Sequence, residues 1–392
     1  MEKVKLKDLG EICTGNTPSK KNKEFYKSND ICFFKPSDID EDNIKLLNNS
    51  EEYISEMARN KARILPKGTI LVTCIGTIGK IGILEKESAC NQQINAIIPN
   101  NRIDGKYLAY LIYSKKMYLQ KKANAPVVPI INKTDFSNIE LDIYDKSSQI
   151  KIANELDKVQ EIIDIRKKQL EQFDELIKSQ FVEMFGDPFF NDKKWQLKKL
   201  KDISILIADG SNVDKNHYKT NSDILFLRIQ NVWRNEFRLD DSVFISEDEN
   251  KEYIDTSLKY GDILICKIGR NYTKDTSLGR VAIYLGKDDK ANYSNNIMRI
   301  RLTDEANCKF VNMLLNLEDY QEHIKRVSKG GTDKRALNKT IIGDLPIILP
   351  SRVMQDEYVR KIEKIDKHKF EIQKSLEKMQ LLQKSLMNQY FG

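Results

Sequence analysis

The sequence predicts an α+β protein: two pseudo-symmetric globular units separated by a two-helix antiparallel coiled coil. Three observations predict it. The chain repeats itself, since KSQFVEMFG ends at Gly186 and KSLMNQYFG ends at Gly392, 206 positions later. Each copy closes with a long stretch free of Pro and Gly. The part before each stretch is built of short apolar, β-rich runs.

At the same offset of 206, Asn132-Lys133-Thr134 matches Asn338-Lys339-Thr340 and Gln149 matches Gln355. Further upstream the offset drifts to about 193, where KGTILVTCIG matches YGDILICKIG. Drift of this kind is expected when insertions fall in the loops of one duplicated unit. The repeat divides the chain into a first globular domain (1–145), a first long helix (146–186), a second globular domain (187–350) and a second long helix (351–392).

In the first domain DICFF, GTILVTCIG, KIGILE and INAIIP read as strands, and a helix is expected over about 105–120 from Tyr107, Leu108, Leu111 and Ile112. The second domain repeats this order. The helical stretches 147–185 and 351–391 carry apolar residues at a/d spacing. In the first these are Ile152, Leu156, Val159, Ile163, Leu170, Phe173 and Ile177. In the second they are Tyr358, Ile362, Ile365, Ile372, Leu376, Met379 and Leu386. Arg166 and Lys369 interrupt the two seams. Each helix should be roughly 55 Å long. A duplicated unit favours a pseudo-two-fold, hence antiparallel, pairing.

The run VTCIGTIGKIG (72–82) has the look of a phosphate loop, but only two residues separate Gly76 from Gly79 and Ile81 follows Lys80. A Walker loop needs four residues between its glycines and a Ser or Thr after the Lys. In the second copy Gly269 takes the place of Gly76 and Arg280 that of Lys80, with about seven extra residues between them. A phosphate cradle does not tolerate that insertion. The reading is therefore a glycine-hinged hairpin that presents a base.

Basic segments lie beside both hairpins: 114–133, with Lys121, Lys122 and Lys133, and 325–339, with Lys329, Lys334 and Arg335. A basic run is more often a solvated face than a binding site. Two runs in corresponding places favour a polyanion, which the net charge of +7 permits. Lys35, Lys267 and Arg270 add positive charge near the same strands. Asn91, Gln92 and Gln93 in the first unit, and Asn295 and Asn296 with Arg228, Gln230 and Asn231 in the second, suit base edges. Asn and Gln pair with adenine in a bidentate way, and Arg with guanine.

Catalytic constellations are missing. His217, His323 and His368 are scattered, and no G-x-S-x-G, H-E-x-x-H, dinucleotide fingerprint or Pro-Pro occurs. The six cysteines form no C-x-x-C pair and are expected to be buried, reduced thiols. The expectation is a chain with no catalytic, metal or cofactor-binding residues. No apolar run spans a bilayer and the N-terminus lacks a signal core, so a cytoplasmic protein with no membrane partner is expected.

The landmarks GDIL…IG…GRVAIY and NKT…LPIILP, with the duplicated helix ending in Phe-Gly, resemble the specificity subunit of type I restriction-modification systems over the whole chain. The resemblance implies two target recognition domains, each reading one half of a bipartite, asymmetric site on double-stranded DNA. It implies a helical spacer on which two modification (methyltransferase) subunits dock, using S-adenosylmethionine to methylate adenine N6. Restriction/translocase subunits complete the complex. Two alternatives remain: a specificity module for a fused methyltransferase-endonuclease, and a coiled-coil adaptor that binds no DNA.

Overall fold

The computed structural model describes residues 1–123, 128–270, 276–331 and 333–392. Its contacts resolve into two compact units: residues 1–168 with 373–392, and residues 169–372. The boundaries of these units fall inside the long helices.

In unit 1 a five-stranded sheet has the order Gly10–Thr14, Ile94–Pro99, Ile70–Thr73, Ile81–Leu84, Lys45–Leu47. A second sheet has the order Glu52–Ile54, Ile31–Phe34, Ser88–Cys90, Ile64–Leu65. Every residue of Ile70–Thr73 and Ile31–Phe34 is buried, so these strands read as continuous apolar runs without alternation. Unit 2 repeats the topology. Ser204–Asp209, Ile297–Leu302, Ile263–Cys266 and Val281–Ile283 form one sheet, and Val243–Ile245, Ile224–Leu227 and Ala291–Tyr293 the other. Even the parallel pairing of Ile31–Phe34 with Ser88–Cys90 recurs, between Ile224–Leu227 and Ala291–Tyr293.

The glycine-hinged hairpin is present in both units. Ile70–Thr73 pairs antiparallel with Ile81–Leu84, and Ile263–Cys266 with Val281–Ile283. Gly79 and Gly279 enter the second strand of each at φ +86° and +76°, which an L side chain resists. The helix expected over about 105–120 is broken in two, Gly105–Ser114 and Lys116–Lys122. Lys115 leaves the helical region at ψ 8°.

The long helices run Lys146–Phe185 and Arg352–Phe391. Within unit 1 the Tyr390 hydroxyl donates to Glu155 (2.7 Å) and Gln383 Nε2 donates to Gln160 (2.6 Å). Rising numbers on one helix meet falling numbers on the other, so the segments are antiparallel. Within unit 2 Asp174 pairs with Lys369 and Met184 lies against Lys361, in the same sense. The seam is less uniform than its spacing implied. Ile152, Leu156, Val159, Ile163, Tyr358, Ile362, Leu376 and Leu386 are buried, but Leu170, Phe173, Ile177, Ile365 and Ile372 are only half-buried. Tyr358 and Ile362 belong to the core of the globular part of unit 2, and Ile177 and Ile365 pack against it. Phe391 packs on Tyr107 (centroids 5.4 Å) and Phe185 on Phe310 (5.1 Å). Each globular part is thus closed by the end of the other copy's helix.

Candidate nucleic-acid interface

In unit 2, the strands Ile224–Leu227 and Ala291–Tyr293 lie parallel, so both end at the same edge. The chain leaves them in two turns, Ile229–Asn231 and Ser294–Asn296, joined where the Ser294 N–H donates to the Leu227 carbonyl (2.9 Å). Residues 210–213 lie across these turns, with Ser211 N–H on the Tyr293 carbonyl and Asn295 N–H on the Ser211 carbonyl, both 2.9 Å. Only glycine allows this approach: a Cβ on Gly210 would stand 2.4 Å from the Tyr293 and Ser294 carbonyl oxygens. The result is an open polar cleft of about 610 Å³ lined by Asn212, Tyr218, Arg228, Gln230, Asn295 and Asn296 among others. Four residues singled out from the sequence meet there.

Asp241 organises one wall. Its carboxylate takes Arg228 Nη2 at 3.0 Å and Gln230 Nε2 at 3.0 Å, and these bonds hold it below the usual carboxylate range, the Gln230 bond foremost. The Arg228 guanidinium also lies 5.9 Å from the Tyr218 ring centre.

Three expected contact residues turn out to be framework. Asn231 is buried; its Oδ1 accepts the Arg228 N–H (3.0 Å) and its Nδ2 donates to the Arg238 (2.9 Å) and Asp241 (3.2 Å) carbonyls. It shapes the turn. Arg280 is also buried. Its guanidinium and that of Arg238 each lie 3.6 Å from the Trp233 ring centre, which requires opposite faces of the indole. Trp233 Nε1 in turn donates to the Gln230 carbonyl (2.9 Å). Arg280 therefore supports the turn that carries Gln230. Asn91, in unit 1, is buried, with its Nδ2 on Gln93 Oε1 (2.8 Å) and its Oδ1 on the Gln93 N–H (3.1 Å).

The basic residues of unit 2 separate into two groups. The Lys267 ammonium is tied to Asp209, and Arg335 is half-buried, with Nη1 on the Lys325 and Ser328 carbonyls at 3.3 Å. Lys329, Lys334 and Arg270 are exposed on a small sheet of their own.

Unit 1 builds the same edge with other side chains. Lys35 heads the turn Pro36–Asp38, as Arg228 heads its own, and pairs with Glu52 at 2.5 Å. Lys80 Nζ donates to the Pro36 carbonyl (3.3 Å), so the hairpin base braces that turn. Gln92 is exposed and accepts from the Thr17 hydroxyl (2.6 Å); Gln93 is half-buried beside it. A Cβ on Gly15 would stand 2.3 Å from the Asn91 carbonyl oxygen, matching Gly210. Lys121 and Lys122 are exposed at the end of Lys116–Lys122, and Lys133 opens a separate short helix, Lys133–Ser137. None of these three is tied by a hydrogen bond or ion pair to the edge that holds Gln92. Sequence reasoning missed Asn16, Thr17 and Arg63 in unit 1. Arg63 holds the edge through its N–H on Asn16 Oδ1 (2.6 Å) and its Nη1 on the Thr14 carbonyl (2.5 Å). In unit 2 it missed Asn212, Tyr218 and Asp241. The signal lay in GNTPSK and GSNVDK, which follow the two close-packed glycines.

The same strand-end edge is thus built twice on duplicated folds, with unlike polar side chains in the two units. The chain belongs to the type I restriction modification DNA specificity domain family, which it matches twice, over residues 1–174 and 192–382. It is 31% identical over 271 residues to the type I restriction enzyme MjaIX specificity subunit of Methanocaldococcus jannaschii, a match covering 64% of this chain and 62% of that protein. The match therefore spans less than two thirds of that relative. With the MjaVIII specificity subunit of the same organism it shares 24% identity over 84% of this chain and 79% of the relative. Its fold is similar to that of a type I restriction-modification S subunit from M. genitalium, with a TM-score of 0.63 at 14% identity over 100% of this chain and 96% of the other. Among the described residues no helix is long and apolar enough to cross a membrane.

Proposed function

We propose that this chain is the non-catalytic DNA-recognition subunit of a type I restriction-modification complex, each unit reading one half of a bipartite, asymmetric target. One observation carries the reading. The same strand-end edge is built twice with different polar side chains: Lys35, Gln92 and Gln93 in one unit, Arg228, Gln230, Asn295 and Asn296 in the other. Duplicated geometry with unlike donors and acceptors is what two unlike half-sites require.

The partners in this reading are double-stranded DNA, two modification subunits that carry S-adenosylmethionine and methylate adenine N6, and restriction/translocase subunits, all in the cytoplasm. Exposed apolar residues on the long helices, Leu176, Val182, Val353, Phe370 and Leu381 among them, support protein docking there.

Mapping methylated adenines genome-wide in cells with and without the gene tests the reading. Loss of one bipartite asymmetric motif on deletion is expected. An unchanged methylation map would sink the reading and favour the coiled-coil adaptor.

A further inference from the structure

In unit 2 the end of the hairpin's first strand continues into a small ribbon. Ile268–Arg270, Lys334–Ala336 and Lys329–Gly330 form a three-stranded antiparallel ribbon with Lys334–Ala336 in the centre. The register places Arg270 opposite Lys334, and Ala336 opposite both Ile268 and Lys329. Residues directly opposite share a face, so Arg270, Lys334, Lys329, Ile268 and Ala336 line one side, and all five are exposed. The other side carries Gly269, Gly330 and Arg335, and Arg335 fastens it to carbonyls at the end of helix Glu318–Val327.

A directly opposed like-charge pair destabilises a sheet. Here Arg270 faces Lys334, and among the described residues Asp333, 3.8 Å from Arg270 Nε and itself largely exposed, is the acid paired with them. The arrangement suits an anion held along the ribbon.

The ribbon adjoins the cleft. The Lys267 N–H donates to the Asn296 carbonyl (2.9 Å), and the Lys267 carbonyl accepts from the Leu337 N–H (2.8 Å). Unit 1 has the same pair of bonds, from Cys74 N–H to the Gln93 carbonyl (2.8 Å) and from Ile131 N–H to the Cys74 carbonyl (2.9 Å). There, among the described residues, one bridge joins Ile75 and Ile130, and neither these residues nor Gly76 carries charge.

The geometry points to this ribbon as a sequence-independent phosphate clamp on the DNA backbone. The inference rests on the DNA-recognition reading and divides the labour within unit 2: the cleft reads bases and the ribbon supplies salt-dependent affinity. Each phosphate contact contributes about 0.9 to the slope of log K against log salt.

The test uses the complex purified from its own cells through a tag on this chain. Its binding to two duplexes, one with the mapped motif and one scrambled, is titrated across salt. The variant Arg270→Gln/Lys329→Gln/Lys334→Gln should weaken binding to both duplexes alike and reduce the slope by about 2–3, while the methylated motif stays the same. Ala336→Lys, which adds a charge to the same exposed face, should raise the slope by about 0.9. An unchanged slope in both variants, or a changed motif, overturns the clamp. A wild-type complex that binds neither duplex overturns instead the reading on which the clamp rests.

Discussion

The side-chain oxygen of Gln149 accepts the backbone N–H of Asp104 at 2.8 Å, tying the first turn of one long helix to the cap of helix Gly105–Ser114. Its Nε2 donates to the Tyr144 and Arg102 carbonyls at 2.8 and 3.4 Å. Gln355 repeats all three bonds, with Asn307 N–H (2.7 Å), the Pro350 carbonyl (2.8 Å) and the Glu305 carbonyl (3.2 Å). Both glutamines are buried. Replacing either with Ala leaves one donor and two acceptors without their partner, at a cost of about 2–3 kcal/mol. Hydrogen exchange should show Gln149→Ala loosening unit 1 and Gln355→Ala loosening unit 2. Equal loosening of both units by either variant would contradict the assignment.

The starts of the two helices hold their acid-sensitive carboxylates at different places. The Asp145 carboxylate accepts from the Ser147 hydroxyl (2.6 Å), the Ser148 hydroxyl (2.7 Å) and the Ser148 N–H (3.1 Å). These bonds, the Ser147 bond first, hold its pKa well below the usual range. A depressed acid contributes stability that is present above its unfolded pKa and lost as pH falls through the folded one. Ser351 stands at the equivalent place of the second helix and carries no charge. Amide protection over residues 146–150 should fall on acidification below about pH 4. Protection over 352–356 should fall too, because Asp356 is held low there by its bond from Arg352 first and then from Asn307, and Asp145→Asn should remove the response over 146–150 alone.

Cleft and framework residues should part company on mutation. Gln230→Ala and Asn295→Ala should relax or change one half of the methylated motif, by about 1–3 kcal/mol of discrimination per lost bidentate contact, and leave the other half intact. Asn231→Ala should instead lower stability by about 1–3 kcal/mol, because it frees buried backbone groups. Methylome sequencing reads the first effect and urea denaturation the second. A motif change from Asn231→Ala with full stability would return that residue to the base-contacting set.

The thiols should be inert in the native protein. Burial pushes Cys74 and Cys266 up to about 12 and raises Cys90 as well. At pH 8 a thiol of that kind is roughly one ten-thousandth ionised. Iodoacetamide should therefore label Cys308, which is only half-buried, before Cys74, Cys90 or Cys266, and label those three only on unfolding.

The repeat made the architecture legible because a duplicated unit displays its landmarks twice. Gln149 and Gln355 could be matched by offset alone, and their shared bonds explain why they coincide. The hairpins were legible through the match of Gly76 with Gly269 and of Lys80 with Arg280, whereas the left-handed glycines that enter the second strands, Gly79 and Gly279, emerge only in the fold. The cleft was legible in part: Gln92, Gln230, Asn295 and Asn296 are exposed polar residues following apolar strands. Exposure itself could not be read, so Asn91, Asn231 and Arg280 looked like contacts although folding turns each inward. Asp241 was invisible because its partners, Arg228 and Gln230, lie more than ten residues before it and meet it only through a turn.

The closure of Tyr107 by Phe391 has a consequence for biosynthesis. Residues 373–392 belong to unit 1, yet the ribosome makes them after all of unit 2. The domain that is translated first is therefore completed last, and its apolar seat around Tyr107 stays open while the intervening polypeptide emerges. A premature stop codon near residue 373 would damage the protein at the end encoded earliest.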